Sequence, residues 1–437
     1  MPIEISDKVA KILKAMEETQ NHFFITGNAG TGKSTLLSHF RNTTKKNLAV
    51  VAPTGVAAVN VKGETIHSFF KIPPSVTPQV AREEAKKTRN AKLYRALQIL
   101  IIDEISMVRA DLLDSIDIFL KTVRHSELPF GGVQMIMVGD LYQLPPVVTN
   151  DENAALSQLY SSPFFFSSKV MSGINDNLFN KFYIVELDKI YRQSDAKFIN
   201  ILNNIRTNKV TEEDLNALNR QLISEGEYSE DYIILTSVNA QADIINQTKL
   251  AEIIGTAQSY HATITGDFGA NKQPLPDSIA LKTGAKIMLL NNDPDGRWIN
   301  GTVGRIYSLK PNSVTVKLEN GEIVDVTPFT WSSYKTSFNQ EKNVIESSEV
   351  GSFKQMPIKL AWAITIHKSQ GKTFEKVIID FGRGAFAHGQ TYVALSRCTT
   401  LSGIKLLRPI NQSHIILDKR IEQFVTDFKD CVFEVSD

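Results

Sequence analysis

The chain has 437 residues, with 48 Lys and Arg against 47 Asp and Glu, and 42% of its residues are hydrophobic. The length predicts two or three domains, and the composition excludes a disordered chain, a collagen-like repeat and a disulfide scaffold. The net charge of +1 neither supports nor excludes nucleic-acid binding, because a binding groove needs only a local basic stripe.

Cysteine usage and hydropathy exclude further classes of protein. Cys398 and Cys431 are too few for a disulfide framework or a four-thiolate zinc site. No run of about 18 apolar residues is present, so we expect no membrane span. The charged, amphipathic N-terminal region lacks the features of a secretory signal or an import peptide. We therefore expect a cytoplasmic protein without a secretion or import signal.

The first half of the chain reads as a helix followed by alternating buried strands and helices. Apolar residues at helical spacing predict a helix over residues 9–16 and another over 112–123. Continuous apolar runs predict four strands, at 22–26, 48–53, 97–103 and 133–138. This alternation is typical of a parallel sheet covered on both faces, so the fold class is α/β.

A second alternation begins after about residue 180. Strand-like runs lie at 182–187, 232–236 and 376–380. Between about 256 and 355 the pattern changes to short strands with turns, and Asn320-Gly321 predicts a hairpin between two of them. We expect a second α/β domain interrupted by a small β-barrel-like insert. A shorter insert is expected near 69–92, whose charged run at 82–89 fits the solvated face of a helix equally well.

Residues 27–34 read GNAGTGKS and match the phosphate-loop pattern without deviation, between a predicted strand and a predicted helix. Its glycines let backbone N–H groups close around a phosphate, and the following helix N-terminus favours an anion. Lys33 is expected to neutralise the β- and γ-phosphates of ATP, and Ser34 to bind Mg²⁺. The predicted ATP-binding residues of the loop are Asn28, Ala29, Gly30, Thr31, Gly32, Lys33, Ser34 and Thr35.

Two carboxylates and three further polar residues complete the predicted hydrolysis site. Asp103 and Glu104 end a predicted strand. Asp103 is expected to hold Mg²⁺ and Glu104 to act as general base, although the pair could instead cap the next helix. Gln143 is placed to sense the γ-phosphate or the attacking water, with an ordinary loop as the alternative. Arg192 and Arg397 are candidates for stabilising γ-phosphate charge, with a surface salt bridge as the alternative for each.

Eight strings occur in order along the chain: GNAGTGKS, VAPTGVAA, TIHSFF, IIDEISM, VGDLYQLPPV, YRQSDAKF, AITIHKSQGKT and YVALSR. Together they resemble the motifs of superfamily-one helicases of the 5′→3′ branch. They resemble the Pif-one family, in its compact bacterial or viral form, more closely than the RecD and Dda helicases. The resemblance runs from about residue 22 to 407.

The resemblance implies two RecA-like P-loop domains with ATP between them. The first would span 1–175 and carry a wedge insert at about 69–92. The second would comprise 176–255 and 356–437, with the β-barrel-like insert at 256–355. Phe70 with Pro73 and Pro74 is the expected wedge.

The resemblance also implies a path for single-stranded DNA across both domains. Lys33, Glu104, Gln143, Arg192 and Arg397 would be catalytic, Gly371 would lie near the phosphates, and Glu375 would reach the ribose. The expected DNA-binding residues are Pro53, Thr54, His67, Ser68, Phe69, Ser237, Asn239, Asn300, Thr302, His367, Lys368 and Ser369. The alternative for each is a structural role, and Phe69-Phe70 fits the core at least as well. The glutamine with which relatives read adenine is absent from the first helix, which leaves base selectivity open.

The function implied is an ATP- and Mg²⁺-dependent helicase that moves 5′→3′ on single-stranded DNA and unwinds tailed or forked duplexes and G-quadruplexes, mostly as a monomer. Family roles include DNA repair, recombination and telomere maintenance. The alternative is a DNA-dependent translocase that separates strands weakly or not at all. A small-molecule P-loop kinase would explain the phosphate loop and the carboxylates, but not the second α/β half.

Overall fold

The chain folds into two parallel sheets flanked by helices, together with a region of antiparallel strands. A computed structural model describes residues 7–73, 76–148, 150–174, 181–189, 192–193, 195–224, 226, 229, 231–270, 273–339, 344–382 and 384–433. Within these residues the α-helices are α1 (Asp7–Glu18), α2 (Lys33–Thr43), α3 (Gly55–Asn60), α4 (Ile66–Phe70), α5 (Pro78–Lys87), α6 (Ala91–Ala96), α7 (Ala110–Arg124), α8 (Asn150–Leu159), α9 (Lys169–Ser172), α10 (Ala196–Arg206), α11 (Glu212–Asn219), α12 (Asn239–Glu252), α13 (Gln390–Leu395) and α14 (Lys419–Asp427).

The strands of the same residues divide among five sheets. They are β1 (His22–Gly27), β2 (Leu48–Ala52), β3 (Glu64–Thr65), β4 (Ile99–Ile102), β5 (Gln134–Val138), β6 (Phe182–Leu187), β7 (Ile233–Thr236), β8 (Gln258–His261), β9 (Thr263–Gly266), β10 (Ser278–Leu281), β11 (Lys286–Leu289), β12 (Val303–Lys310), β13 (Ser313–Leu318), β14 (Ile323–Val326), β15 (Phe329–Asn339), β16 (Val344–Gln355), β17 (Ile358–Leu360), β18 (Ala363–Thr365), β19 (Val377–Asp380) and β20 (Ile404–Leu406).

The first sheet is parallel, with the order β3-β2-β4-β5-β1-β6. Its inner strands are apolar and buried along their length, because helices cover both faces. The four strands predicted in this half are confirmed. Strand β6 differs from the prediction, because the sequence pattern places it in the second half. In the structure β6 pairs in parallel with β1 of the first sheet, with Phe182 opposite His22 and Leu187 opposite Gly27.

The second sheet is also parallel, with the order β18-β7-β19-β20. Helices α10 and α13 pack their apolar residues against it in a separate core. The predicted strands at 232–236 and 376–380 are confirmed as β7 and β19. The carboxyl ends of β1, β4 and β5 in the first sheet lead into the phosphate loop, the carboxylate pair and the glutamine loop, so one sheet edge gathers the predicted ATP-site residues.

The region between the two parts of the second sheet is antiparallel. It contains a five-stranded sheet, β14-β13-β12-β11-β17, and a three-stranded sheet, β15-β16-β9. The predicted hairpin is confirmed, since Lys317 lies opposite Ile323 across the Asn320-Gly321 turn. The five-stranded sheet also takes β17, which lies beyond residue 355, because Ile358 pairs with Leu289 of β11.

The segment expected to form a wedge is largely helical and packs on the first domain. Ala81 and Ala85 of α5 are buried, whereas Arg82, Lys86 and Lys87 are exposed, so the charged run is the solvated face of a helix. Phe70 is fully buried and its ring stacks on Tyr94. The expectation that Phe70 parts the duplex is therefore wrong in this structure. Pro73 is exposed, and Pro74 lies outside the described residues.

The C-terminal segment crosses back to the first sheet. Phe424 of α14 is buried and its ring stacks on that of Phe166. The backbone N–H of Phe433 donates to the carbonyl of Ile184, 2.9 Å away, in β6. This segment therefore ties the second half of the chain to the first domain. None of the helices in the described ranges has the length and apolarity that crossing a bilayer requires.

Candidate active site

The phosphate loop joins β1 to α2 in a conformation that only glycine tolerates at its tightest point. Gly30 has φ +83°, and a Cβ there would lie 2.5 Å from the Cβ of Arg192. The ammonium of Lys33 donates to the carbonyls of Gly27 and Asn28, at 2.8 and 3.0 Å. Burial lowers the pKa of Lys33, and the negative charges of Asp140 and Glu104 oppose that shift. The side chain of Lys33 thus lies against the backbone of the phosphate loop.

The carboxylate pair follows β4, close enough to Lys33 for the charges to interact. Glu104 adopts the left-handed backbone conformation, with φ +53°. Burial, and then the charge of Asp103, raise the pKa of Glu104 to about 7. Burial likewise raises the pKa of Asp103. The exposed hydroxyl of Ser34 and these carboxylates are the oxygen donors that Mg²⁺ prefers, so the residues present fit the ion.

The loop after β5 connects the two cores. Leu141 packs in the first core and Leu144 in the second. Between them, the side-chain amide of Gln143 donates to Asp140 Oδ2 at 3.2 Å and accepts from Gln370 Nε2 at 3.5 Å. Gln143 therefore lies at the junction of the two α/β halves, next to Asp140. Its contact with the γ-phosphate or the attacking water stays a prediction.

Arg397 is 1% exposed and bound entirely within the second half. Its guanidinium donates to the carbonyls of Ser369 and Lys372, both at 3.3 Å, and to that of Val393 at 2.9 Å. Burial, and then the charge of Arg192, lower the pKa of Arg397 to about 9. This arginine is therefore not the surface salt-bridge partner that was the alternative.

Arg192 lies at the boundary between the halves. Its guanidinium donates to the carbonyl of Ser396 at 3.4 Å, and the neighbouring Gln193 donates to the same carbonyl at 3.2 Å. Burial lowers the pKa of Arg192. Because its Cβ lies against Gly30, the residue joins the phosphate loop to the segment that carries Arg397. Tyr191, of the same motif, lies outside the described residues.

Three residues at this junction were missed from the sequence. The hydroxyl of Tyr392 accepts the N–H of Ala29 at 3.0 Å, and the side chain of Asn203 accepts from Asn28 at 2.9 Å. Arg206 lies over the ring of Tyr142, 4.1 Å from its centroid. Tyr392 stands in the YVALSR string, which was a signal available from the sequence. Asn203 and Arg206 look like ordinary polar positions of an amphipathic helix.

The predicted DNA-binding residues divide into exposed and buried sets. Pro53 is partly exposed, and Thr54, Asn239 and Lys368 are exposed. Thr54 caps α3 by accepting the N–H of Ala57 at 3.2 Å. These positions follow the carboxyl ends of β2, β7 and β18, which leaves their polar groups at the surface.

Three members of that predicted set are buried. Phe69 is 3% exposed because its ring packs edge-on against Tyr94. The hydroxyl of Ser369 is buried and donates to the carbonyl of Ile366 at 2.6 Å, and that of Ser237 donates to Phe381 at 3.0 Å. In this structure these side chains are engaged in contacts that hold the local fold, and a contact of these residues with DNA stays a prediction.

The two motif histidines are half-buried, and burial lowers the pKa of each. Nδ1 of His67 has no hydrogen-bond partner among the described residues. Ser68, beside it, donates to Glu64 at 3.3 Å. Burial therefore favours the neutral form of both imidazoles, which suits hydrogen bonding more than charge pairing.

The insert loop contacts the second-half motif directly. Asn300 Oδ1 accepts from Lys372 Nζ at 2.8 Å, and the hydroxyl of Thr302 accepts the N–H of Ile299 at 3.1 Å. Gly371, next to Lys372, is exposed. Glu375 is exposed. The ribose contact predicted for Glu375 stays a prediction.

Comparison with known proteins identifies the family. A family model described as PIF1-like helicase matches residues 4–216. The ATP-dependent DNA helicase Pif1 of Bdellovibrio bacteriovorus is 32% identical over 98% of this chain and 93% of its own length. The structure of Bacteroides sp Pif1 in complex with ADP-AlF4 is 39% identical, covers 98% of both chains and has a TM-score of 0.90. Bacteroides Pif1 in complex with ADP-AlF3 and ssDNA has the same identity and coverage, with a TM-score of 0.68.

These matches extend over nearly the whole chain, and the two parallel sheets correspond to the two RecA-like domains of the matched structures. The phosphate loop, the carboxylate pair and the arginines of the second half lie together between those domains. The chain belongs to the family of PIF1-like helicases and is an ATP-dependent DNA helicase.

Proposed function

We propose that this helicase moves 5′→3′ along single-stranded DNA and separates duplex DNA as it advances. The observation that carries the proposal is the position of Arg397, whose charge acts on Glu104 and whose guanidinium binds the carbonyls of Ser369 and Lys372. A movement of Arg397 toward a γ-phosphate must therefore also shift the segment around His367 and Lys368. ATP binding and release would in this way alter the grip of the second domain on DNA.

The ATP-site residues have separate roles in this proposal. Lys33 leaves the loop carbonyls and binds the β- and γ-phosphates, while backbone N–H groups of the loop bind the β-phosphate. Ser34 and Asp103 would hold Mg²⁺, which would neutralise phosphate charge. Glu104 takes the proton of the attacking water, a role that suits a buried carboxylate next to the phosphate loop. Gln143 orients that water.

The arginines close the site from the second domain. Arg192 already lies against Gly30, and Arg397 is within electrostatic reach of both Glu104 and Arg192. Both guanidiniums would stabilise the charge that spreads over the γ-phosphoryl oxygens, as arginine fingers do in other phosphoryl-transfer enzymes. Hydrolysis would release them and reopen the cleft.

The proposed partners are single-stranded and tailed or forked duplex DNA. Bacteroides Pif1 has been solved with ssDNA, and two Pif1 helicases have been solved at forked dsDNA. Thr54, Asn239 and Lys368 are exposed polar groups that suit phosphate contacts without sequence choice. Asn300 and the half-buried histidines would join them when the strand is bound.

Several finer assignments belong to the same proposal. We propose functional units at 1–175, at 176–255 with 356–437, and an insert at 256–355, with β6 and α14 as structural additions to the first unit. The segment at 69–92 would part the duplex through its exposed residues, such as Pro73. The enzyme would act in the cytoplasm or nucleoid, mostly as a monomer, and would also unfold G-quadruplexes.

The direction of movement can be tested without any duplex. A single-stranded oligonucleotide carries biotin with bound streptavidin at its 3′ or its 5′ end. A 5′→3′ motor displaces streptavidin from the 3′ end in an ATP-dependent manner and leaves the 5′ end occupied. Lys33→Ala, which lacks the phosphate contact, should displace neither. Displacement from the 5′ end alone would overturn the proposed direction.

A further inference from the structure

Arg206 is a buried cation at the junction of the two domains. It is the last residue of α10 and only 8% of its side chain is exposed. Its guanidinium lies 3.5 Å from Asp140 Oδ1, whose side chain is fully buried, and 3.4 Å from Glu186 Oε1 of β6. It also covers the ring of Tyr142. All three partners belong to the first domain, while α10 packs in the core of the second.

One face of helix α10 contacts both the phosphate loop and the loop that carries Gln143. Asn203 and Arg206 are three residues apart and therefore lie on the same face of the helix. Asn203 binds Asn28 of the phosphate loop at 2.9 Å, and Arg206 binds the loop that carries Gln143. The opposite face of α10, including Phe198 and Ile205, is buried in the second core. The helix therefore fixes the distance between the phosphate loop and the glutamine loop.

Asp140 is the link between Arg206 and Gln143. One carboxylate oxygen of Asp140 accepts from the side chain of Gln143 at 3.2 Å, and the other accepts the N–H of Tyr142 at 3.1 Å while it pairs with Arg206. Asp140 is almost fully buried, and among the described residues Arg206 is the cation that contacts its carboxylate, while Lys33 and Arg397 act on that charge from farther away. Without Arg206 the carboxylate loses the contact that holds it in place and is free to move, and that movement displaces the amide of Gln143.

We propose that Arg206 is a positioning residue for ATP hydrolysis: it holds Asp140, and through Asp140 the side chain of Gln143, in place at the ATP site. This rests on the proposed role of Gln143 in orienting water. Because the contact crosses the domain boundary, Gln143 is fixed only while α10 of the second domain lies against the first. Hydrolysis is thereby restricted to the closed arrangement of the domains.

The test compares steady-state ATPase activity with a single-stranded oligothymidine in four variants. Arg206→Met and Asp140→Asn should each lower kcat by about 10²-fold, the scale on which misplacing a catalytic group acts. The KM for ATP should change by less than about threefold, because the phosphate contacts remain. The double variant should be no slower than the slower single variant, since both changes release the same side chain. Arg206→Lys keeps the charge but loses the planar fork, and should fall between wild type and Arg206→Met.

Arg124→Met is the matched control. Arg124 is also a bound arginine, but it donates to the carbonyls of Leu97 and Gly131 within the first domain. Its loss should lower the melting temperature and leave kcat of the folded enzyme unchanged. An unchanged kcat in Arg206→Lys and Arg206→Met, or strictly additive losses in the double variant, would overturn the proposal. If Arg206→Met does not fold, Arg206→Lys alone decides, and wild-type kcat there also overturns it.

The variant Gln143→Ala distinguishes the proposed role of Gln143 in hydrolysis from the proposed role of Arg206 in positioning it. A large loss of kcat in Gln143→Ala with no loss in the Arg206 variants removes the positioning role and leaves the proposed role of Gln143 intact. Wild-type kcat in Gln143→Ala removes that role itself, and with it the inference about Arg206.

Discussion

Replacing Tyr392 by Phe should tighten the binding of ATP in the absence of DNA. The hydroxyl of Tyr392 accepts the backbone N–H of Ala29, at 3.0 Å, in the loop where that N–H is expected to bind phosphate. Burial raises the pKa of this hydroxyl, so it stays protonated and neutral at physiological pH. ATP must therefore break the contact before the phosphate can accept the same N–H.

The size of the effect follows from that single hydrogen bond. A net intramolecular hydrogen bond contributes about 0.5–1.5 kcal/mol. The Phe variant leaves the Ala29 N–H without its acceptor in the nucleotide-free protein only, so this free energy appears as a gain in affinity. It corresponds to a dissociation constant lower by about two- to twelvefold.

The assay is a titration with a fluorescent ATP analogue, without DNA. Tyr94→Phe is the control, because Tyr94 is fully buried and its hydroxyl binds the carbonyl of Phe69 at 2.6 Å, away from the phosphate loop. Its affinity should equal that of the wild type. Weaker binding in Tyr392→Phe would show that the hydroxyl contacts the nucleotide, and unchanged binding would show that it does not compete with it.

Three further predictions concern the catalytic groups and the C-terminal segment. Glu104→Gln should reduce turnover by about 10²–10⁴-fold while filter binding shows that ATP and single-stranded DNA are still bound; wild-type turnover would remove its role as base. Arg397→Ala should lower the DNA-stimulated ATPase rate by about 10³-fold, and an unchanged rate would mean that it does not act on the γ-phosphate. Phe424→Ala, which empties a buried site against the first domain, should reduce the free energy of unfolding by about 3–5 kcal/mol in a urea titration. The exposed neighbour Val425 provides the control, since Val425→Ala should cost less than about 0.5 kcal/mol, and equal losses would contradict the packing argument.

In this chain the sequence predicts the residues of local motifs better than it predicts which strands and side chains pair with one another. The phosphate loop and the Asp103-Glu104 pair each depend on one strand and the turn that follows it, so a short segment contains all the information. Strand β6 shows the limit. Its apolar run fits the edge of either parallel sheet, and only its pairing with β1 assigns it to the first. No local pattern encodes that pairing.

The direction in which a side chain points was the second feature that the sequence could not predict. Phe69, Ser237 and Ser369 stand in motifs that are predicted to border the DNA path, yet the side chain of each is buried and held by contacts within its own domain. A motif records which residues occur together and not which way each one points. For the junction residues Asn203 and Arg206 the error was the opposite one, because the sequence did not indicate that they lie at the site. They look like solvent-facing positions on a helix, and their contacts exist only because the two domains meet.

The most direct test of the central claim is ATP-dependent unwinding of one duplex that carries a single-stranded tail at either its 5′ or its 3′ side. Unwinding only of the 5′-tailed substrate is the expected result. It should require ATP hydrolysis, so Glu104→Gln should unwind neither substrate. Unwinding only of the 3′-tailed substrate would contradict the proposed direction. A DNA-stimulated ATPase that opens neither duplex would contradict strand separation and favour a translocase.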